Sequence, residues 1–335
     1  MAKSKRGKRT ASSRRRRPVR VRRDAKVLQG REELSAYSYR EDQIEEALAT
    51  GKDADLLKSY FGDAQYQELH ELAMESTRRS VRGGQRVLIL PGIMGSTIGK
   101  ERPILDDVVW FDPVDIILGN LTQLALHGPT NKYTALGAIP LAYTGLKLRL
   151  KLAGFDGDFH YYDWRQGLDV LGKGLVTRVR DESAEQIWLV AHSMGGLVAR
   201  AAIARDSTVT KKINRLVMLG TPNHGSFAPA QAIRGVYPVV KQVAAIDAAH
   251  DAEELSSLVF TTFPGLYHLL PTKEKFKDVD LFDVASWPNK GPKPQPTILG
   301  KVPSVQQSLA PADDRFFSHR WSEPRNGRQL ETAGQ

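Results

Sequence analysis

The 335-residue chain contains no cysteine, so disulfide bridges and thiolate chemistry are excluded. No apolar run approaches 18 residues, and no membrane-spanning helix is expected. The basic N-terminus is not followed by an apolar stretch, which argues against a secretory signal peptide. A cytoplasmic address is the expectation, with peripheral membrane attachment as its variant. Acidic residues are missing from the first 23 positions, which hold 12 of the 48 lysines and arginines. The rest of the chain therefore carries 36 basic against 38 acidic side chains, a net of −2, so the formal charge of +10 sits in that segment. Such a composition, centred on Arg14-Arg15-Arg16-Arg17, predicts a disordered arm over residues 1–30. Its charge suits an anionic membrane surface or nucleic acid. No aromatic residues interleave the arginines, and a solvated tail is the plainer reading.

What is present is an ordinary globular composition, 41% hydrophobic and 26% charged. Residues 31–80 are polar and helical in pattern, with apolar residues spaced by three or four, and predict a helical extension. Short apolar runs then alternate with helical patterns. Arg86–Leu90, Phe159–Tyr162, Ile187–Val190 and Arg215–Leu219 read as strands, with a helix over Gly167–Asp181. That alternation predicts an α/β fold with a mostly parallel sheet covered by helices on both faces. Residues 97–147 show no clear sheet pattern despite the apolar Val108–Phe111 and Val114–Leu118.

The most informative segment is Ala191-His192-Ser193-Met194-Gly195-Gly196, between the Ile187–Val190 strand and an apolar helical run from Leu197. Strand, sharp turn and helix are the parts of a nucleophile elbow. The serine at its tip needs small residues two before and two after, here Ala191 and Gly195. The helix that follows turns the Met194 amide toward a developing oxyanion. His192, adjacent to the serine, reads as a packing residue rather than a base. His224 reads as a residue that orders its loop.

Four motifs occur in order: Pro91-Gly92-Ile93-Met94-Gly95-Ser96, Asp163-Trp164-Arg165, the elbow, and Gly220-Thr221-Pro222-Asn223-His224-Gly225-Ser226. Together they resemble the lecithin:cholesterol acyltransferase-like branch of the α/β-hydrolase superfamily, with its bacterial lipases and esterases. The resemblance covers residues 80–317 and implies an α/β-hydrolase core over 81–317, with cap insertions at about 97–147 and 227–280. It implies Ser193 as nucleophile and the amides of Ile93 and Met194 as oxyanion donors. Gly92 and Gly95 let that backbone approach a reacting carbonyl, and Asp163 pairs with Arg165 to shape the loop. The implied substrate is a carboxylic ester of lipid type, with no metal and no organic cofactor.

The family's late motifs, Gly-Asp-Gly followed further on by Ser-His, are not found in that order. The later histidines are His250, His268 and His319, with Asp280 and Asp283 as acids. Residues 318–335 read as an aberrant tail with no strand to hold His319, and the sheet is expected to stop at Arg215–Leu219. A frameshifted, truncated chain is the expectation, with a naturally divergent terminus as its rival. The function read from the sequence is a serine esterase, lipase or acyltransferase. Its rivals are an inactive α/β-hydrolase relic and a binding protein acting through the basic arm.

Overall fold

The computed structural model describes residues 39–78, 84–102, 106–126, 132–311, 313 and 315–319. The expected arm and residues 320–335 of the expected tail lie outside them. Three helices come first: α1 (Glu41–Thr50), α2 (Ala54–Phe61) and α3 (Asp63–Arg78). Left-handed Gly51 closes α1, as helix C-termini favour, and Gly62, at φ 78° and ψ 152°, closes α2. Their apolar faces, including Ile44, Leu48, Leu57 and Leu69, form a small core of their own with Leu148.

There follow β1 (Gln85–Leu90), β2 (Ser96–Lys100), β3 (Asp107–Trp110), α4 (Pro113–Ile117), β4 (Thr134–Ala138), α5 (Pro140–Leu152) and β5 (Phe155–Phe159). Next are α6 (Leu168–Asp181), β6 (Ile187–His192), α7 (Met194–Arg205), α8 (Ser207–Lys212) and β7 (Ile213–Leu219). Short helices α9 (Ala228–Ile233), α10 (Pro238–Ile246), α11 (Ala252–Leu258) and α12 (Pro264–Tyr267) lead to α13 (Pro296–Leu299), α14 (Val302–Gln307) and β8 (Phe316–His319).

The central sheet runs β5-β1-β6-β7-β8, every neighbouring pair parallel. The strands β1 and β6 within the sheet are largely apolar on both faces because both faces are covered. Leu88 and Leu90 of β1 enter the main core with Leu175 of α6 and Val198 of α7. Val87 and Ile89 enter a second core with Tyr143 of α5. The chain has an α/β fold with a mostly parallel sheet flanked by helices.

Several local expectations differ from the structure. The strand expected at Phe159–Tyr162 lies at Phe155–Phe159. Tyr162 and Trp164 are instead buried loop residues, so their apolar character serves packing beyond the strand. Residues 97–147 do contain a sheet, the antiparallel β3-β2-β4. Its strands are four or five residues long with register shifts, too short and irregular for a period-two pattern to show. The sheet does not stop at β7. Phe316–His319 pairs with Leu216–Leu219, so His319 is the last residue of a strand in register with Leu219. Pairing with an existing parallel edge, rather than an apolar run of its own, makes this strand.

Candidate active site

The carboxyl ends of β1, β6 and β7 meet at Ser193. Its backbone has φ 51° and ψ −118°, a strained conformation for a residue with a side chain. The Ser193 amide donates to Leu219 O at 2.8 Å, pinning the turn to the end of β7. Space around the turn is closed. A Cβ on Gly195 would lie 2.7 Å from Leu90 O and 2.8 Å from Pro91 O. One on Gly92 would lie 2.9 Å from His192 Nδ1 and 3.1 Å from Ser193 Cβ. The loop after β1 is thus pressed directly onto the serine turn.

That loop carries a second strained residue, Met94, at φ 60°. It is fixed at several points. Gly95 N donates to Gly92 O at 3.1 Å, Ile139 N donates to Gly95 O at 2.9 Å, and Trp110 Nε1 donates to Met94 O at 3.2 Å. Gly92 N donates to the Tyr143 hydroxyl at 2.8 Å. The amides of Ile93 and Met194 have no acceptor among the described residues.

Ser193 opens into a cleft of about 560 Å³ whose walls include Ile93, Trp110, Leu141, Pro222 and Leu266. Among the described side chains that line it, none is charged and none is a histidine. Tyr60 of α2 and Tyr237 before α10 are lining residues that sequence patterns did not single out. Neither stands in a motif, and only the packing of distant segments brings them here.

Asp163 and Arg165 do not line the cleft. The fully buried Arg165 guanidinium donates to both Asp163 carboxylate oxygens, at 2.7 and 2.8 Å. It also donates to Leu124 O at 2.7 Å and Tyr133 O at 3.0 Å, joining this tripeptide to the 120–133 segment. Between them, Trp164 Nε1 donates to Ser96 O at 3.0 Å and so holds the far end of the loop after β1.

The remaining candidates have other partners. His268 is buried and its Nδ1 accepts from Leu168 N at 3.0 Å; burial pulls its pKa down to about 4, so the ring is neutral. His250 Nδ1 lies 3.2 Å from Asp247 Oδ2, in the turn between α10 and α11. Asp280 accepts from exposed Lys273, and Asp283 caps a short 3-10 turn through Ala285 N. The His319 backbone stands at the same sheet edge as the serine turn, level with Leu219.

A family described as a PGAP1-like alpha/beta domain matches residues 173–281, about a third of the chain, including the serine turn. An uncharacterised protein of Saccharomyces cerevisiae is 34% identical over 67 residues, 18% of this chain and 10% of its own length. Among solved structures, the Tle4–Tli4 complex is similar at 16% identity over 57% of this chain and 55% of that one, with a TM-score of 0.45. The mature lipase BlEst2 of Bacillus licheniformis is similar at 16% identity over 58% of this chain and 60% of its own, with a TM-score of 0.29. The N-formylmaleamic acid deformylase of Pseudomonas putida is similar at 16% identity, over 70% and 84% of the two chains, with a TM-score of 0.28. This chain therefore matches a tenth of the yeast protein and little over half of the Tle4–Tli4 chain.

Proposed function

We propose that the protein is a serine hydrolase of lipase or esterase type, or an O-acyltransferase using the same chemistry, acting on carboxylic esters of lipid type. The observation that carries this reading is the strained Ser193 turn, opening into an apolar cleft beside two amides that have no acceptor among the described residues. The PGAP1-like match and the ordered motifs of the lecithin:cholesterol acyltransferase-like branch support it.

Ser193 Oγ attacks the ester carbonyl and gives its proton to a base. The carbonyl oxygen becomes an oxyanion facing the Ile93 and Met194 amides, each such donor contributing about 2.7–4 kcal/mol to the transition state. On collapse the ester C–O bond breaks, the base returns the proton to the departing oxygen, the alcohol leaves and the acyl group stays on Ser193. Water then releases the acid, or a second alcohol takes the acyl group. The uncharged cleft suits an apolar acyl chain.

His319 is the base that the backbone register favours, since β8 ends level with the serine turn. A second reading, an elbow without a working acid–base pair, is favoured by one observation. The other late histidines are engaged elsewhere, His268 Nδ1 by Leu168 N and His250 Nδ1 by Asp247. One experiment separates the two. The full chain is exposed to a fluorophosphonate and assayed on a p-nitrophenyl ester, beside Ser193→Ala and His319→Gln. Labelling that disappears in Ser193→Ala, with turnover that falls in His319→Gln, supports the hydrolase. Equal labelling of wild type and Ser193→Ala overturns the nucleophile. Labelling without turnover supports the second reading.

A further inference from the structure

Tyr143, in the first turn of α5, does not line the cleft, yet its hydroxyl touches both halves of the site. It accepts from Gly92 N at 2.8 Å and lies 2.9 Å from His192 Nδ1. The side chain is buried, its ring edge-on to Phe159 with centroids 6.3 Å apart. A Cβ on Gly95 would come within 2.7 Å of the same hydroxyl, so the loop wraps closely around it. From the neighbouring residue of that helix end, Ile139 N holds Gly95 O.

The hydrogen bonds have one arrangement that satisfies every group. The Gly92 amide is a donor, so the hydroxyl oxygen accepts from it. The hydroxyl hydrogen then needs an acceptor, and His192 Nδ1 supplies one if the imidazole proton sits on Nε2. His192 is thereby engaged as an anchor, on the side of the residue facing Tyr143.

We infer that Tyr143 and His192 form a positioning clamp that locks the Gly92–Met94 loop against the Ser193 turn, setting the spacing between the Ile93 and Met194 amides. The inference rests on the proposed hydrolase reading. Neither residue touches the reacting atoms. Removing the Tyr143 hydroxyl leaves a buried Gly92 amide without an acceptor and frees the loop to shift. A displacement of about 1 Å between two donors is enough to cost about a hundredfold in rate.

The test uses the full chain with Tyr143→Phe, His192→Ala and the double variant. Ester kcat, ester KM and the rate of fluorophosphonate labelling are measured for each. The clamp requires kcat and labelling rate to fall about tenfold to a hundredfold with KM within about twofold, because the loss is in the transition state. It also requires the double variant to be no worse than the weaker single, since both belong to one chain of contacts. Unchanged kcat and labelling in Tyr143→Phe overturn the clamp, as does full additivity in the double variant. Should Tyr143→Phe not fold, His192→Ala decides alone, with unchanged rates overturning the clamp. If wild type is labelled at Ser193 while Tyr143→Phe is unimpaired, the clamp fails and the hydrolase reading stands. If Ser193→Ala is labelled like wild type, both fail.

Discussion

Ser193 keeps its strained backbone because its surroundings allow nothing else. Gly195 faces the carbonyls of Leu90 and Pro91, and Gly196 packs against Thr221. A methyl group at 195 has no flexible side chain to displace, only the backbone that ends β1. Gly195→Ala is therefore expected to cost about 1–3 kcal/mol, as overpacked cores do. It should also lower ester turnover by about a hundredfold through displacement of the serine. Urea denaturation and ester kinetics on the same preparation check both effects. A Gly195→Ala protein with wild-type stability and rate would mean that the loop after β1 yields without consequence. His192 illustrates the reverse, a polar residue beside Ser193 whose contacts turn it toward Tyr143.

At the level of elements, a charge network ties β1 to β5 and α6. Arg86, at the start of β1, donates to Glu182 at 2.9 Å, to Asp158 at 2.9 Å and to Asp156 at 3.1 Å. Arg178 of α6 donates to Asp158 at 2.6 Å and to Glu182 at 2.9 Å. Burial works against ionisation of Asp158, but the Arg178 hydrogen bond and the charges of Lys147, Arg178 and Arg86 hold its carboxyl below the usual range. At Glu182 burial is likewise outweighed, by Arg86 first and then Arg178. Arg86→Met leaves Asp158 and Glu182 with one guanidinium instead of two. The loss should lie below the about 3–5 kcal/mol of a fully buried pair, because these carboxylates keep some contact with solvent and are partly screened. The prediction is an acid-unfolding midpoint at higher pH in Arg86→Met, read by far-UV circular dichroism. An unshifted midpoint would show that Arg178 alone suffices.

For the whole molecule, two sets of groups make acid destabilising in successive windows. Buried His268 and half-buried His160 have pKa values pulled down to about 4, by desolvation first, with nearby Arg178 adding to the effect at His160. Unfolding returns each to about 6.5, so between pH 6.5 and 4 the unfolded chain binds more protons. Their contribution is complete above pH 6.5 and is lost as pH falls toward 4. The carboxylates of the Arg86 network act lower. Their contribution is present above the unfolded value of about 4 and is lost as pH falls through their depressed folded values. Stability should therefore begin to decline below pH 6.5, before the carboxylates of the Arg86 network titrate. Urea midpoints at pH 7, 5.5 and 4 test this. His268→Asn, whose Oδ1 can accept from Leu168 N, should flatten the slope between pH 6.5 and 4. An unchanged slope would remove His268 from the account. No helix among the described residues is long and apolar enough to cross a membrane.

The sequence by itself determined the parts that local chemistry dictates. Short apolar runs that alternate with helical patterns fit strands covered on both faces, and Ala191, Ser193 and Gly195 in that spacing can form a turn that larger side chains would prevent. The parallel α/β order and the tight serine turn were legible for that reason. Tertiary structure alone decided what depends on partners distant in the chain. Phe316–His319 is a strand because β7 offers an edge to pair with, not because its four residues prefer one. The β3-β2-β4 sheet exists through pairing across irregular register. Tyr60 reaches the cleft from α2, and Tyr143 meets Gly92 across 51 residues and His192 across 49. A motif records which backbone shapes are allowed at a position. Which hydroxyl satisfies a buried amide is fixed only when separate segments close on one another, since the penalty for an unpaired buried donor does not exist until then.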